Sequence, residues 1–396
     1  MFVLSSPAAR GSIASLGHTA GIIIRETPAH VILPRARPPN SVIAAHSADG
    51  NEINLLIKIP QRISNTQFTL RLGTSNSAKS PGTMKLLYPT SLKLDVASLE
   101  GFSVSLHAYD VKEIIPESLI DADVLVTWTN NAKNLEDAAK RMTKLRWIQS
   151  LAAGPNDVLS AGFPSSVIVT TGSGLHDRTV AEHTLGLLLT AARRFDEMRD
   201  YQVQSKWAAH LGGPQPDRPS DRFTTLRDAN VTIWGYGNIA KTLAPHLTAL
   251  GASVRGIARS AGVRAGVEVY AEDKLPELLP RTDALVMILP GSESTKNVLN
   301  ADRLKLLPPH AWVVNVGRGT SIDEDALADA LEKGEIGGAA LDVFVKEPLP
   351  AESRLYKAMN CIVSPHAAGG RPQDAEPLIA YNLRRFLAGQ ELKNVI

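Results

Sequence analysis

Short apolar runs alternate with helical patterns along most of the chain, from Met84 to about Pro365. Periodic apolar positions predict helices over Leu135–Leu145 and Val180–Phe195. Strands that alternate with helices form parallel sheets covered by helices on both faces. The pattern therefore predicts an α/β fold. In the first half of this region, the apolar runs that predict strands are Met84–Pro89, Val104–Leu106, Val124–Val126, Trp147–Ser150 and Val167–Thr170.

A loop rich in Gly, Pro and Asp at 211–222 separates two alternating sets, and a last helical segment runs from Asp374 to Leu387. A chain of 396 residues is too long for one ordinary core, so two domains are predicted. The formal net charge of +2 gives no reason to expect a nucleic-acid partner. No stretch of the sequence reaches the roughly 18 apolar residues needed to span a bilayer, so no membrane partner is expected.

The first 83 residues differ in composition from the rest of the chain. They carry eight Lys and Arg against three Asp and Glu, and their aromatic residues are Phe2 and Phe68. This composition is typical of a disordered extension or an organelle transit segment. Alternatively, translation begins at Met84, where a fresh strand pattern starts. Both interpretations stay open, and neither assigns chemistry to residues 1–83.

Cysteine and histidine usage adds little chemistry. The single cysteine, Cys361, excludes an intrachain disulfide and fits a reducing compartment, so we expect a cytoplasmic protein, with organelle targeting by residues 1–83 as the alternative. Its apolar neighbours favour a buried thiol over a nucleophile. His176 and His183 are seven residues apart, which suits one helix face, and neither has a second ligand at H-x-x-x-H spacing. No metal site is predicted.

An apolar strand over Val231–Trp234 leads directly into a glycine-rich turn and then a helix. The turn has the form G-x-G-x-x-A, which in a strand–turn–helix setting is the dinucleotide fingerprint. The first glycine permits the tight turn, and the second lets a pyrophosphate approach the amides at the helix N-terminus. The alternative is a two-glycine turn without a ligand. The predicted cofactor contacts of this turn are Gly235, Tyr236, Gly237, Asn238 and Ile239.

The second strand, Ser253–Ile257, ends where an acidic residue normally holds the ribose 2′-hydroxyl. Arg259 and Ser260 stand there instead, and an arginine can pair with a 2′-phosphate through charge-assisted hydrogen bonds. We therefore predict that both residues bind the cofactor and that NADPH is preferred, with NADH as the alternative. Arg259 as a solvated surface charge is the simpler explanation.

Three later motifs follow in order: Gly317-Arg318-Gly319, Lys346-Glu347-Pro348 and Pro365-His366-Ala367. In this order and spacing they resemble the D-isomer-specific 2-hydroxyacid dehydrogenase family, and the resemblance runs from about Met84 to the C-terminus. It implies two doubly wound parallel-sheet domains with a cleft between them. A Rossmann nucleotide domain would cover 182–367, and a flavodoxin-like substrate domain would combine 84–181 with 368–396. It also implies a homodimer.

The resemblance assigns roles to these motifs. Arg318 would grip the substrate carboxylate and polarise the keto oxygen, and Glu347 would hydrogen-bond His366, the general acid/base. Asp342 would lie near the nicotinamide carboxamide, and Leu289-Pro290 would end a strand beside the cofactor. Taken singly, each residue has an ordinary alternative as a loop charge, a helix stop or a surface histidine.

The substrate end resembles the same family less closely. Ala152, Ala153 and Gly154 match a stretch whose amides receive the substrate carboxylate, although Pro155 removes one donor. Trp128 resembles the pattern of glyoxylate/hydroxypyruvate reductases, and its loop lacks the arginine that phosphoglycerate dehydrogenases tend to place there. We also expect no regulatory domain after the last helix.

These features predict an NAD(P)-dependent oxidoreductase that interconverts a small, unphosphorylated 2-keto acid and its D-2-hydroxy acid, such as a glyoxylate/hydroxypyruvate reductase. The alternatives are a phosphoglycerate or D-lactate dehydrogenase of the same family, and a non-enzymatic nucleotide-sensing protein like the transcriptional corepressors that share the fold.

Overall fold

The structure, a computed structural model, describes residues 83–99, 101–216, 219 and 221–396, together with the backbone of seven short strands between Phe2 and Arg71. Residues 1–82 and 83–396 form two compact units, each described by itself. The expectation that 1–83 is an extension, a targeting segment or a mis-assigned start concerns residues that lie largely outside those described, and it stays a prediction.

In the first unit the described strands pair in antiparallel fashion. One sheet has the order β1-β4-β3-β2 and the other has the order β5-β6-β7. The strands are β1 (Phe2–Val3), β2 (Ala14–Leu16), β3 (Ala20–Ile24), β4 (His30–Ile32), β5 (Val42–Ala48), β6 (Glu52–Lys58) and β7 (Thr66–Arg71).

The second unit begins with a five-stranded parallel sheet of order β12-β11-β10-β8-β9. This is the flavodoxin-like order of doubly wound folds. Every position of β10 and β11 is buried, as expected for a parallel sheet with both faces covered. The strands and first helices are β8 (Met84–Pro89), β9 (Val104–Tyr109), β10 (Val124–Thr127), α1 (Ala132–Arg141), β11 (Trp147–Ser150), α2 (Asn156–Ser160) and β12 (Ile168–Thr170).

An eight-stranded sheet follows, with the order β15-β16-β14-β13-β17-β18-β19-β20. Apart from the antiparallel edge pair β15–β16 its strands are parallel, and the strand order reverses between β13 and β17 as in Rossmann folds. The strands are β13 (Asn230–Trp234), β14 (Ser253–Ile257), β15 (Gly262–Arg264), β16 (Val267–Tyr270), β17 (Ala284–Met287), β18 (Trp312–Asn315), β19 (Gly338–Leu341) and β20 (Cys361–Val363).

Helices cover both sheets. The remaining α-helices are α3 (Asp177–Arg193), α4 (Phe195–Val203), α5 (Asn238–Ala249), α6 (Leu275–Leu278), α7 (Ala301–Leu304), α8 (Glu324–Glu332) and α9 (Ala375–Leu387). Single-turn 3-10 helices occupy Val96–Leu99, Glu117–Leu119, Ala209–Leu211, Glu272–Lys274, Leu279–Arg281, Glu293–Thr295, Gly319–Ser321 and Arg354–Tyr356. In the part of the chain that the structure describes, no helix combines the length and apolarity needed to cross a membrane.

The core follows from side-chain alternation along the strands. On β17, Val286 packs into the layer that contains α3 and α5, whereas Leu285 packs into the opposite layer with α8. In the five-stranded sheet, Leu125 faces the layer with α1, and Val124 faces α9 near the C-terminus. Because helices cover both faces of each sheet, the ends of the strands and the loops that follow them remain accessible to ligands. The predicted architecture of doubly wound parallel-sheet domains is therefore confirmed.

Candidate active site

Most of the predicted site residues lie just beyond the carboxyl ends of parallel strands. In the eight-stranded sheet, Gly235 follows β13, Arg259 follows β14, Arg318 follows β18, Asp342 follows β19 and His366 follows β20. In the five-stranded sheet, Trp128 follows β10 and 152–154 follows β11. Open parallel sheets bind ligands in the crevice at these ends. The fold therefore gathers residues that are far apart in sequence along two facing strand edges of one compact unit.

The glycine turn after β13 has the shape of a phosphate-binding turn. Gly235 has φ of +100°, and a side chain there would overlap the Ile288 carbonyl, so only glycine fits. A Cβ at Gly237, by contrast, would meet nothing within 4 Å. Gly237 is also the N-cap of α5 and provides no side-chain cap for the first amides of that helix. A dinucleotide pyrophosphate binds where it can approach the backbone amides at a helix N-terminus without meeting a side chain, and these residues meet that requirement.

The structure does not place Tyr236 at the surface of this turn. Its side chain is 2% exposed and packs against Gly256 and Val269 in the core, and its backbone N–H donates to Ile257. Because its side chain is buried and its amide is already bonded, Tyr236 has no group available to a cofactor and is not part of the proposed site. Its buried hydroxyl has no hydrogen-bond partner among the described residues. Asn238 is exposed at the start of α5, and Ile239 is half-buried behind it.

Arg259 and Ser260 are both exposed after β14, beside the glycine turn. A second arginine that the sequence interpretation did not select, Arg264 on β15, holds this corner together. Its guanidinium donates to the Ser260 carbonyl at 2.7 Å and hydroxyl at 2.8 Å, and to the Tyr236 carbonyl at 2.9 Å. The corner thus presents two guanidinium groups next to the turn: that of Arg264 is anchored, and that of Arg259 has no hydrogen-bond partner among the described residues. The sequence signal that could have identified Arg264 was a second basic residue five positions after Arg259.

The loop that carries Arg318 is fixed by its flanking glycines. A Cβ at Gly317 would lie 2.6 Å from backbone atoms of Leu289, and a Cβ at Gly319 would overlap the Phe344 backbone. Asn315, which is fully buried, accepts from the Gly317 amide at 3.1 Å and donates to the Arg318 carbonyl at 3.1 Å. Close backbone packing on both sides therefore sets the direction of the Arg318 side chain.

Arg318 reaches from the eight-stranded sheet to the loop after β11. A Cβ at Gly154 would overlap its guanidinium, so the two groups are in contact. Burial lowers the pKa of Arg318, and the nearby carboxylates of Glu347 and Asp157 oppose that shift. A guanidinium remains charged under these conditions. Its positive charge is therefore partly desolvated and lies next to the predicted carboxylate-binding amides.

The three predicted amide donors are not equivalent. Ala152 N–H donates to the Ser150 hydroxyl at 3.2 Å, so this amide is already used. Within the described part of the chain, the amides of Ala153 and Gly154 have no protein acceptor. The loop therefore offers two free N–H groups beside Arg318, which suits a carboxylate. Trp128 completes this end, because it lines the same shallow cavity as Gly154.

His366 and Glu347 form a hydrogen-bonded pair. The Nδ1 of His366 lies 2.7 Å from one Glu347 oxygen, and the other oxygen accepts from the Phe344 amide at 3.0 Å. The carboxylate thus fixes the imidazole so that Nδ1 donates to it. The side chains are 48% and 35% exposed, so Nε2 of His366 remains open to a ligand. A histidine held in this way can deliver a proton from Nε2.

A fully buried carboxylate supports the His366 loop from behind. Asp342 accepts from the amides of Ala367 at 2.8 Å and Ala368 at 2.9 Å, and from the Ser364 hydroxyl, while its own carbonyl accepts from the His366 amide at 2.8 Å. His183 on α3 contacts the same Ser364 hydroxyl at 2.9 Å. Asp342 therefore acts on the loop geometry, and its predicted contact with a cofactor stays a prediction.

The remaining predicted residues are more peripheral. Leu289 is buried in the core behind the glycine turn, and Pro290 is exposed beside it. Cys361 is half-buried on β20, and burial raises the pKa of its thiol to about 12, which does not suit a nucleophile. Across the residues described, no group of three or more His, Cys, Asp or Glu side chains could hold a metal ion.

The middle of the chain matches the model of a known protein family. The family described as D-isomer specific 2-hydroxyacid dehydrogenase, NAD binding domain, matches residues 185–368. Glyoxylate/hydroxypyruvate reductase A of Serratia proteamaculans is 31% identical over 310 residues, which is 75% of this chain and 93% of that protein.

Solved structures agree with this similarity. A D-isomer specific 2-hydroxyacid dehydrogenase family protein from Aeromonas salmonicida superposes with a TM-score of 0.69 at 29% identity, over 79% of this chain and 98% of that one. An NADPH-dependent glyoxylate/hydroxypyruvate reductase from Sinorhizobium meliloti, solved with NADP and sulfate, superposes with a TM-score of 0.67 at 26% identity, again over 79% and 98%.

Proposed function

Since the chain belongs to the D-isomer specific 2-hydroxyacid dehydrogenase family, we propose that it reduces a small 2-keto acid to the D-2-hydroxy acid, with Arg318, Glu347 and His366 as its catalytic residues. Glyoxylate and hydroxypyruvate are the proposed substrates, because relatives at about 30% identity are glyoxylate/hydroxypyruvate reductases. The family and these relatives make the chain an NAD(P)-dependent oxidoreductase.

One observation carries the proposal. Arg318 and the two free amides of Ala153 and Gly154 form a carboxylate-binding corner. The Glu347 carboxylate, which is hydrogen-bonded to His366, interacts electrostatically with Arg318 and so links the pair to this corner. A 2-keto acid has a carboxylate adjacent to the carbonyl that is reduced. Arg318 and the two amides match the carboxylate of such a substrate, and His366 matches its keto carbonyl.

The residues divide the chemistry of reduction between them. A bound dihydronicotinamide supplies the hydride that reduces C2. Arg318 and the loop amides hold the carboxylate and orient the carbonyl, and the guanidinium draws electron density towards the oxygen. His366 donates the proton from Nε2 to that oxygen. Glu347 keeps Nδ1 protonated and stabilises the imidazolium before transfer.

We propose NADPH as the preferred cofactor. Arg259 and Ser260 stand where an acid would bind the 2′-hydroxyl of NADH, and Arg264 anchors Ser260 from β15. The Sinorhizobium meliloti relative was solved with NADP, which agrees with this preference. Arg259→Ser should raise the KM for NADPH at least tenfold and leave the KM for NADH unchanged. A larger effect on NADH would contradict the assignment.

The domain division and assembly are also proposals. We propose a nucleotide domain of 182–367 and a substrate domain of 84–181 with 368–396, because α9 packs into the core of the five-stranded sheet. A homodimer is supported by exposed apolar side chains: Trp207 is 88% and Val203 is 67% exposed. The unpaired Cys361 supports a cytoplasmic location. Sedimentation velocity, which separates a monomer from a dimer by mass, tests the assembly.

The experiment that tests the function is a panel of 2-keto acids with each cofactor. We expect NADPH oxidation with glyoxylate and hydroxypyruvate, and a kcat/KM at least tenfold lower with 3-phosphohydroxypyruvate and pyruvate. Preference for the phosphorylated acid would indicate a phosphoglycerate dehydrogenase, and preference for pyruvate a D-lactate dehydrogenase. Tight NADPH binding without turnover of any keto acid would refute the enzyme and favour a nucleotide-sensing protein.

A further inference from the structure

His176 lies buried between the two loops that form the proposed active site. It is 5% exposed and stands at the N-cap of α3, where its side chain makes no capping bond. Instead, Nε2 is 2.8 Å from the Leu151 carbonyl oxygen, and Nδ1 is 3.0 Å from the Gly369 carbonyl oxygen. One ring therefore connects backbone segments that are more than 200 residues apart in sequence.

The chemistry of the two partners constrains the ring. A carbonyl oxygen only accepts hydrogen bonds, and a neutral imidazole carries one N–H, so its second nitrogen would turn a lone pair towards an oxygen. Both bonds form together only when both nitrogens carry a proton. The geometry therefore selects the imidazolium form of His176, in which both bonds are charge-assisted.

The surroundings of the ring favour the same form. Trp128 stacks on the imidazole with the ring centroids 5.3 Å apart and the planes at 22° to each other, and an aromatic face attracts a cation. Asp177, the next residue on α3, interacts electrostatically with His176, and Lys241 on α5 acts on the same carboxylate. The positive end of the α3 dipole and the burial of the ring oppose a cation here, and the two charge-assisted bonds act against both.

The bonded segments are those that the reaction uses. Leu151 immediately precedes the amide loop 152–154, and Gly369 lies three residues after His366. Thr179 on α3 donates to the same Gly369 carbonyl at 3.0 Å. The Trp128 ring that rests on His176 lines the cavity beside Gly154. A change in His176 would therefore shift the carboxylate-binding loop, the loop of the proton donor and the cavity wall together.

We propose that His176 is a positioning residue for the keto-acid reduction, which as an imidazolium clamps the carboxylate-binding loop to the loop that carries His366. The inference rests on the proposed function, because it concerns the same site. It adds a role for a residue that is buried behind the two loops and acts through their backbone carbonyls.

Neutron diffraction from a deuterium-exchanged crystal of the full chain at pH 7.5 reads the protonation directly. We expect nuclear density for deuterium on both Nδ1 and Nε2 of His176. Density on a single nitrogen would overturn the clamp, since one of the two carbonyls would then have no donor. This result does not depend on turnover, so it remains decisive even if the proposed substrates are wrong.

Kinetics of His176→Gln test the positioning role. Glutamine is neutral, and its single NH2 group can take the place of only one of the two ring nitrogens. We therefore expect kcat/KM for hydroxypyruvate to fall about 10- to 100-fold. The fall should arise mainly from a higher keto-acid KM, while the Kd for NADPH changes less than twofold. His246→Gln is the matched control, because His246 is exposed near the end of α5, and it should behave as the native chain does.

The division between KM and kcat separates positioning from a merely structural role. At a temperature well below its Tm, His176→Gln should show a raised keto-acid KM while its kcat changes less than about threefold. A lower Tm with an unchanged KM would overturn the proposal. If the native chain reduces no keto acid, the proposed function fails instead, and the neutron result alone decides the state of His176.

Discussion

Asp342→Asn is the perturbation for which the structure makes the sharpest prediction. The side chain is fully buried, and its two oxygens accept from the Ala367 amide, the Ala368 amide and the Ser364 hydroxyl. Asparagine has the same shape, but one of its two terminal atoms is an NH2 donor. Whichever way the amide turns, that donor faces a backbone N–H.

The size of the effect follows from this one mismatch. A buried donor without an acceptor costs about 1–3 kcal/mol. For a chain of this length, that free energy lowers the Tm by roughly 1–4 °C. The loop relieves the mismatch by moving, and it carries His366 with it. Since a displacement of about 1 Å in a catalytic group can cost 10²-fold, we expect kcat/KM to fall about 10- to 100-fold.

The assay compares the variant with the native chain and with Asp302→Asn, an exposed aspartate on α7. Thermal unfolding gives the Tm, NADPH oxidation with hydroxypyruvate gives kcat/KM, and fluorescence titration gives the Kd for NADPH. If Asp342 acts through the loop, the Kd of the variant for NADPH should lie within about threefold of the native value. An unchanged Tm and kcat/KM would show that the Asp342 carboxylate does not hold the loop, and a large rise in Kd alone would assign Asp342 to the cofactor instead.

Three further predictions each concern a single residue. Gly237→Val should weaken NADPH binding at least tenfold without lowering the Tm, measured by titration and thermal unfolding, because a Cβ there meets only open space; equal loss of stability would contradict this. Arg318→Lys should raise the keto-acid KM about 10-fold or more, since lysine lacks the planar fork, and an unchanged KM in steady-state kinetics would exclude the carboxylate contact. Cys361 should resist iodoacetamide at pH 8 in intact-mass measurements, because a thiol with a pKa of about 12 is almost wholly protonated there; rapid alkylation of the folded chain would contradict that pKa.

The fold could largely be predicted because buried parallel strands leave a simple sequence signal. β8, β11 and β14 have the predicted bounds. β8 and β11 are short runs rich in apolar residues, whereas β14 is predicted from its place as the second strand after the glycine turn. α3 begins at Asp177, before the predicted Val180, because its first turn is polar and carries no apolar periodicity. Helix ends depend on capping and tertiary contacts more than on the pattern.

The loops of the proposed active site could be predicted where the backbone requires a special residue. The glycines on either side of Arg318 are needed because backbone atoms of Leu289 and Phe344 come too close for a Cβ. The glycine turn follows the same rule at Gly235. Such residues leave a mark in the sequence, because no other residue satisfies the geometry.

Contacts between distant segments could not be predicted. The seven-residue spacing of His176 and His183 indicates a shared helix face, yet His176 ends up at the N-cap, bonded to Gly369, and His183 contacts Ser364, 181 residues away. The burial of Tyr236 inside the glycine turn depends on Gly256, which leaves room for its ring. These positions are set by tertiary packing and have no local signature.

The most direct test of the account is the rate of NADPH oxidation with hydroxypyruvate by the native chain and by His366→Ala. We predict that the native chain forms D-glycerate, and that the variant loses about 10²- to 10⁴-fold in kcat, the range for a positioned general acid, while its Kd for NADPH is unchanged. A variant that retains kcat within threefold of the native chain would contradict the assignment of His366 as the proton donor.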